Sequence, residues 1–334
     1  MRLDPADAGA LRACHDVHVA ASATDDPNEP PMSLPVFTVW LLNGWDNNPG
    51  EVWYVPGETA DEAVAWYRLD LPDLENRDRA FVSPVVRPAS RRGGIGRQLL
   101  RHAAGRAAAN ERTILASVAV QDSAGDAFAR TVGAKAGLVE ARRMLDLRKV
   151  QAGLFAQLRE KAAPASDGYT LVSWTGQVPE EYLGLVAAAF NAMNDAPRDE
   201  GWEDDLWDAE RVRERGNQLL RLTDVRGYSV AAVHDETGEM AGLTQVQVDP
   251  DHPDWGYQGL TAVTRAHRGH RLGLLTKAVM LEWLATAEPK VERIVTGNAA
   301  SNAHMIAVNE TLGYELYPPG WQFCEMAVAA AAAV

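Results

Sequence analysis

A short turn rich in arginine and glycine occurs twice in this chain, each time in the same local company. The first copy reads Arg91-Arg92-Gly93-Gly94-Ile95-Gly96-Arg97 and the second Arg268-Gly269-His270-Arg271-Leu272-Gly273. Each follows an extended apolar stretch, 81–86 or 260–263, and each opens a helical pattern. The spacing of Leu99, Leu100 and Ala103 predicts a helix over 95–109, and that of Leu275, Val279 and Trp283 one over 272–285. β-Branched strands over 113–120 and 292–296 come next, then short helices that stop at Gly133 and Gly313, glycine being the residue that most easily takes the left-handed helix end. Terminal strands are expected over 139–147 and 324–328. Upstream, hairpin strands are expected over 51–55 with 63–69 and over 228–234 with 240–248, the second turned by Asp235-Glu236-Thr237-Gly238. Helical 7–20 leads to Asp25-Asp26-Pro27, much as helical 179–193 leads to Asn194-Asp195-Ala196-Pro197.

A repeat of this kind restricts the chain to two similar domains, each β-α-α-β-β-β-α-β-α-β with a mixed α/β sheet. The expected division is 1–148, a helical linker over 149–168 with Leu154 and Leu158 on one face, and 169–334. A length of 334 residues suits two domains of ordinary size. The 46% hydrophobic and 23% charged residues supply two cores, and no apolar run approaches the roughly 18 residues of a membrane span. The start of the chain lacks the apolar segment of a secretory signal. Cys14 and Cys324, one in each half, give neither a disulfide framework nor metal-ligand spacing, which suits a reducing cytoplasm. The net charge of −14 argues against nucleic acid and anionic membrane as partners and is compatible with a cationic small molecule.

The chemistry is expected where strand meets helix. Successive backbone N–H groups of such a turn form a concave nest at a helix N-terminus, where the dipole favours an anion. Gly94 and Gly96 let the backbone approach a diphosphate, and Arg91, Arg92 and Arg97 add charge around it. Neither turn continues into the Lys-Ser/Thr of a P-loop, and neither fits Gly-x-Gly-x-x-Gly in a repeated βαβ setting.

With Val86-Arg87-Pro88 before it, Arg91-Arg92-Gly93-Gly94-Ile95-Gly96 resembles the Arg/Gln-x-x-Gly-x-Gly/Ala signature of the GNAT superfamily. Val263 and the run Arg268, Gly269, His270, Arg271, Leu272, Gly273 match the same frame, with Arg271 at a glycine position. Asn302, Met305, Asn309 and Gly313-Tyr314 resemble the family's later Asn-x-x-Ala-x-x-x-Tyr-x-x-x-Gly-Phe motif. The tandem arrangement is similar to actinobacterial two-domain acetyltransferases. This resemblance implies acetyl-CoA as donor, direct attack of an amine on the thioester, and a sheet splayed between the fourth and fifth strands of each domain. It implies Asn298 and Asn302 as groups that orient the ligand, a catalytic second half and a degenerate first half. Both halves lack the motif's tyrosine, which serves as acid for the departing thiolate: Ala129 and Asn309 stand there instead.

Direct attack requires a neutral amine, hence a proton acceptor. Candidates in the second half are Asp195, Asp254, Asp249 and Glu203, with His252 and His304 behind them. Tyr257 and Tyr314 are candidate proton donors to the thiolate. The stretch 195–210 holds eight acidic residues. It reads either as an attractor of a cationic amine or as a solvated amphipathic helix with Trp202, Leu206 and Trp207 turned inward. Trp40, Trp45 and Trp53 read as core or cleft wall. A CoA-binding protein without turnover, or one that acetylates a protein amine, remains an alternative.

Overall fold

The structure, a computed structural model, describes residues 1–334 except Trp45, Asp46, Ala60 and Asn217. In chain order the elements are α1 (Ala8–Asp25), α2 (Leu34–Asn43), β1 (Glu51–Pro56), β2 (Ala63–Asp70), β3 (Arg79–Val86), α3 (Ile95–Ala109), β4 (Ile114–Val120), α4 (Ala124–Thr131) and β5 (Lys135–Asp146). They continue as α5 (Leu154–Ala162), β6 (Tyr169–Thr175), α6 (Leu183–Asn191), α7 (Ala209–Arg215), α8 (Gln218–Leu222), β7 (Arg226–His234), β8 (Met240–Val248), β9 (Trp255–Val263) and α9 (Leu272–Ala287). The last are β10 (Arg293–Ala299), α10 (Ala303–Thr311), β11 (Glu315–Leu316), β12 (Trp321–Ala327) and α11 (Val328–Ala332). Among the described helices none is long and apolar enough to cross a membrane.

The chain packs as two units that are not contiguous in sequence. The first is Met1–Glu140, Asp199–Glu203 and Pro319–Val334; the second is Ala141–Arg198 and Asp204–Pro318. Each unit therefore takes its final strand from the other half of the sequence, which the linear division at 149–168 does not provide for. The segment 149–168 also differs from a linker. Its helix α5 belongs to the second unit, with Leu158 in the same core as Leu281 and Leu284 of α9.

In the first unit β1, β2 and β3 are antiparallel neighbours and β3 runs parallel to β4. β12 lies antiparallel between β4 and the start of β5, paired from Ile114–Ala327 to Val120–Trp321 on one edge and with Lys135, Ala136, Val139 and Glu140 on the other. The strand expected ahead of α1 is reduced to an isolated bridge between Arg2 and Trp53. Alternation along β2 divides the core. Tyr67 and Leu69 join Leu99, Leu100 and Ala103 of α3, whereas Trp66 joins Val17 of α1 and Phe37 and Leu41 of α2. Trp40 carries the Arg68 guanidinium 4.1 Å from its ring centroid, and Trp53 meets His102 edge-on, so both serve packing. Trp45 lies outside the described residues.

In the second unit the end of β5 is followed by β10, β9, β8, β7 and β6, with β11 also paired to β5. β9 and β10 are parallel and β6 to β9 are antiparallel in succession. Helix α9 covers one face over Tyr228, Val230 and Val246, and α6 with α7 covers the other over Ala231 and Leu243. The amphipathic helix envisaged within 195–210 is absent: the chain stays irregular until α7, and Leu206 is 71% exposed.

Candidate functional site

The same open wedge is built in both units. β3 and β4 pair over three positions only, Arg79 with Ile114, Ala80 with Leu115 and Phe81 with Ala116. β9 and β10 pair as Trp255 with Arg293, Gly256 with Ile294 and Tyr257 with Val295. Beyond Phe81 and Tyr257 the two strands of each pair separate, so the backbone along the wedge lacks a ladder and its polar groups are available to a ligand. The splay that the resemblance implies is present twice.

At the top of each wedge the strand enters the Arg/Gly turn. Arg91 and Arg268 are extended, with φ −71°, ψ 163° and φ −70°, ψ 154°. Arg92 (φ 69°) and Gly94 (φ 82°) are left-handed, and so are Gly269 (φ 90°) and Arg271 (φ 54°) at the matching places. Arg271 thus keeps the turn's backbone despite its Cβ, at a strain of roughly 1 kcal/mol. Neither α3 nor α9 has a side-chain cap, and first-turn N–H groups have no partner within their own helix. A Cβ built on Gly94 or on Gly269 would meet nothing within 4 Å. The two nests are therefore unobstructed at these positions, as an incoming diphosphate requires. Gly96 faces the Phe128 ring and Gly273 faces Val263.

The first arginine of each turn is a brace. Arg91 donates from Nε to the Val86 carbonyl (3.0 Å) and forks onto Asp25 at 2.8 and 2.6 Å. Arg268 repeats this with Val263 (3.3 Å) and Asp195 (2.7 Å), and Arg265 joins Asp195 at 2.5 Å. Hydrogen bonds from Arg265 and then Arg268 hold the Asp195 carboxyl below the usual carboxylate range. That makes Asp195 an anchor of the turn and a poor proton acceptor, in contrast to the expectation from sequence. Asp195→Asn is expected to keep the acid limb of the rate–pH profile; loss of that limb would restore Asp195 as a base. Arg271 is drawn to the Lys161 carbonyl of α5 at 3.1 Å and His270 to that of Ala165, whereas Arg92 and Arg97 are exposed beside the first nest.

The other sequence candidates scatter. Asp254 precedes β9, at the opposite end from the turn and roughly 30 Å away at about 3.3 Å per residue, and it pairs with Arg293. Asp249 and His252 lie at that same far end, because antiparallel β8 sets Gln247 opposite Tyr257. Glu203 belongs to the first unit, where it accepts from the Asn76 backbone. Asn302 caps α10, its Oδ1 accepting from Met305 N, so its oxygen is committed. His304 is exposed on α10. Tyr314 is fully buried. Tyr257 remains at the apex of the wedge. The acidic stretch is largely engaged as well: Asp199 accepts from Leu138 N, Asp204 pairs with Arg198 and Asp208 caps α7.

Sequence reading missed Lys277. It sits on α9 at 1% exposure and donates from Nζ to Asn309 Oδ1 at 2.7 Å; Asn309 Nδ2 in turn donates to Asn298 Oδ1 at 2.8 Å. Burial lowers the Lys277 pKa to about 7. The available signal was a lone charge in the otherwise uncharged run from Leu272 to Leu281, beside an asparagine in the tyrosine position.

Residues 20–134 match the GNAT acetyltransferase family. The mycothiol acetyltransferase of Tsukamurella paurometabola is 30% identical over 230 residues, covering 67% of this chain and 71% of that protein. That of Mycolicibacterium paratuberculosis is 26% identical over 276 residues, 79% of this chain and 78% of that one. Among solved structures, a tandem GNAT protein from the clavulanic acid biosynthesis pathway, determined without acetyl-CoA, superposes at a TM-score of 0.78 with 30% identity and 98% of each chain covered. Acetyltransferases of this family take their acetyl group from acetyl-CoA. With two copies of the wedge and nest and these relatives, the chain is an acetyltransferase that belongs to the GNAT family in its tandem form.

Proposed function

We propose that the chain transfers an acetyl group from acetyl-CoA to a primary amine of a small molecule, and that the second unit carries out the reaction. The observation that supports this most is the continuity in that unit of wedge, extended Arg268 and uncapped nest on one strand. The backbone N–H groups of 269–273 would hold the diphosphate, and the unladdered edges of 258–263 and 296–299 would bind the extended arm. When bound, acetyl-CoA supplies a thioester carbonyl open to direct attack. Tyr257, the last paired position, would deliver a proton to the leaving group at the apex. A water relay carries the amine proton out of the wedge, since no candidate carboxylate stands at the apex among the described residues.

The first unit has features of a degenerate copy. Its apex residue, Phe81, is covered by Trp202 at 5.5 Å between ring centroids, and Ala129 offers no polar group. Because the acids of 195–210 are largely engaged, the fold gives no special preference for a cationic acceptor. A second reading, a CoA-binding protein without turnover, is favoured by the missing tyrosine in both halves; it predicts tight CoA binding and no thiol release with any amine.

Calorimetry with acetyl-CoA and thiol release over a panel of amino sugars, polyamines and aminoglycosides test the proposal on Gly94→Glu and Gly273→Glu. A carboxylate held near 5 Å from a diphosphate costs a few kcal/mol, so Gly273→Glu is expected to reduce thiol release by about 100-fold. Gly94→Glu is expected to leave it within about threefold. The reverse pattern would assign the reaction to the first unit, and absence of acetyl-CoA binding in the unaltered protein would remove the proposal.

A further inference from the structure

A lysine at 1% exposure without a carboxylate partner among the described residues is an expensive thing to build. Lys277 extends from α9, the helix whose first turn forms the second nest, and its Nζ lies 4.8 Å from the centroid of the buried Tyr314 ring. Its hydrogen-bond partner on α10 is Asn309, which occupies the tyrosine position of the family motif. No charged group contributes to the shift in its pKa; burial alone does. The charges on the elements packed around it are engaged elsewhere. Glu282 of α9 pairs with Arg159 of α5, Glu310 of α10 with Arg143 of β5, and Glu288 with Arg226 and Tyr228 of β7. Arg293 of β10 pairs with Asp254, β8 carries no titratable side chain, and β9 carries only Tyr257.

The chemistry of the donors fixes a direction along the chain of bonds. An ammonium can only donate, so Asn309 must turn its oxygen to Lys277 and its NH2 group away. That NH2 group donates to Asn298, which must likewise present its oxygen. The NH2 group of Asn298 is left over, with no protein partner among the described residues. Asn298 lies three positions beyond Val295, on the part of β10 that has left β9.

We propose that Lys277 is a positioning residue: acting through Asn309, it fixes the carboxamide of Asn298 so that its NH2 group serves a carbonyl acceptor held in the wedge. The inference rests on the second unit being the acetyl-CoA site. A side chain that merely fills space would not care which atoms of the two amides face each other. Lys277 does care, because reversing Asn309 would set oxygen against oxygen and leave the buried Nζ without an acceptor, and reversing Asn298 would then set one NH2 group against another.

The side-chain amide resonances of Asn298 and Asn309 in the ligand-free protein test this independently of activity. In the unaltered chain both should titrate with one shared midpoint near neutrality. Lys277→Gln retains a donor without a charge, so it should keep both amide positions and abolish their pH dependence. Lys277→Met should shift the Asn298 NH2 signals toward those of a freely rotating amide. By calorimetry Lys277→Met should weaken CoA binding about tenfold, the worth of one hydrogen bond, and Lys277→Gln should restore most of it. Amide signals and CoA affinity unchanged in Lys277→Met would overturn the proposal, as would failure of Lys277→Gln to restore either in a variant that melts cooperatively. Absence of CoA binding in the unaltered protein would instead overturn the assignment of the site, and the ligand-free spectra would still decide whether Lys277 orients the two amides.

Discussion

Deletion of residues 319–334 is expected to unfold the first unit, although the segment is the last in the chain. β12 is hydrogen-bonded along both edges, to β4 over its full length and to the start of β5. Its removal would leave the facing edges of β4 and of the start of β5 unpaired. It would also withdraw Val328 and Ala331 of α11 from the core formed by Leu99, Leu100 and Ala103. A loss of this size exceeds the ~5–15 kcal/mol by which domains are ordinarily stable. The amides of 114–120 should lose hydrogen-exchange protection in the truncated chain, while those of β7 and β8 retain theirs. Protection persisting over 114–120 would mean that β12 adds little to the sheet. Two contiguous domains divided near 149–168 would give the opposite outcome, with the damage confined to the second half.

Lys277→Met is expected to raise the melting temperature, by an amount that depends on pH. Burial places the folded-state pKa near 7, against 10.5 for an unperturbed lysine. Between those values the unfolded chain binds more protons than the folded one, so the stability of the unaltered protein rises with pH across that window. Below about 7 the folded protein must hold an ammonium in its core, and the burden of Lys277 is greatest there. Methionine carries no such burden, although it leaves Asn309 Oδ1 without its donor. The net gain is expected to be on the order of 2–4 kcal/mol at neutral pH, several degrees in melting temperature, and to shrink toward pH 10.5. A gain that is flat with pH, or that grows above pH 8, would mean that Lys277 is not the group titrating.

Much of this architecture can be read from the residues themselves. The turn at 91–97 is followed by a helix bounded as expected, Ile95–Ala109, because Gly94 stops extension and Leu99, Leu100 and Ala103 repeat at helical spacing. The second turn is equally legible, and Arg271 at a glycine position proves compatible with the same backbone. What could not be read is partnership across long separations. The alternation of Trp321–Ala327 marks a strand but does not say that its neighbours are β4 and β5, since strand pairing depends on register and closure of the whole chain. The same limit applies to Asp195. Its charge suggested a proton acceptor, whereas Arg265 and Arg268, some seventy residues on, make it a brace. Lys277 was passed over because a lysine in a helix is ordinarily a solvated one.

The exchange of final strands also dictates an order of events during synthesis. By the time residue 140 has left the ribosome, nearly all of the first unit has been made, yet β12 has not. At bacterial or eukaryotic speeds of about 5–20 residues per second, β4 and the start of β5 wait many seconds with their facing edges unpaired. The unit that is translated first is thus the one that closes last, and the chain depends most on chaperones or on slow aggregation during that interval.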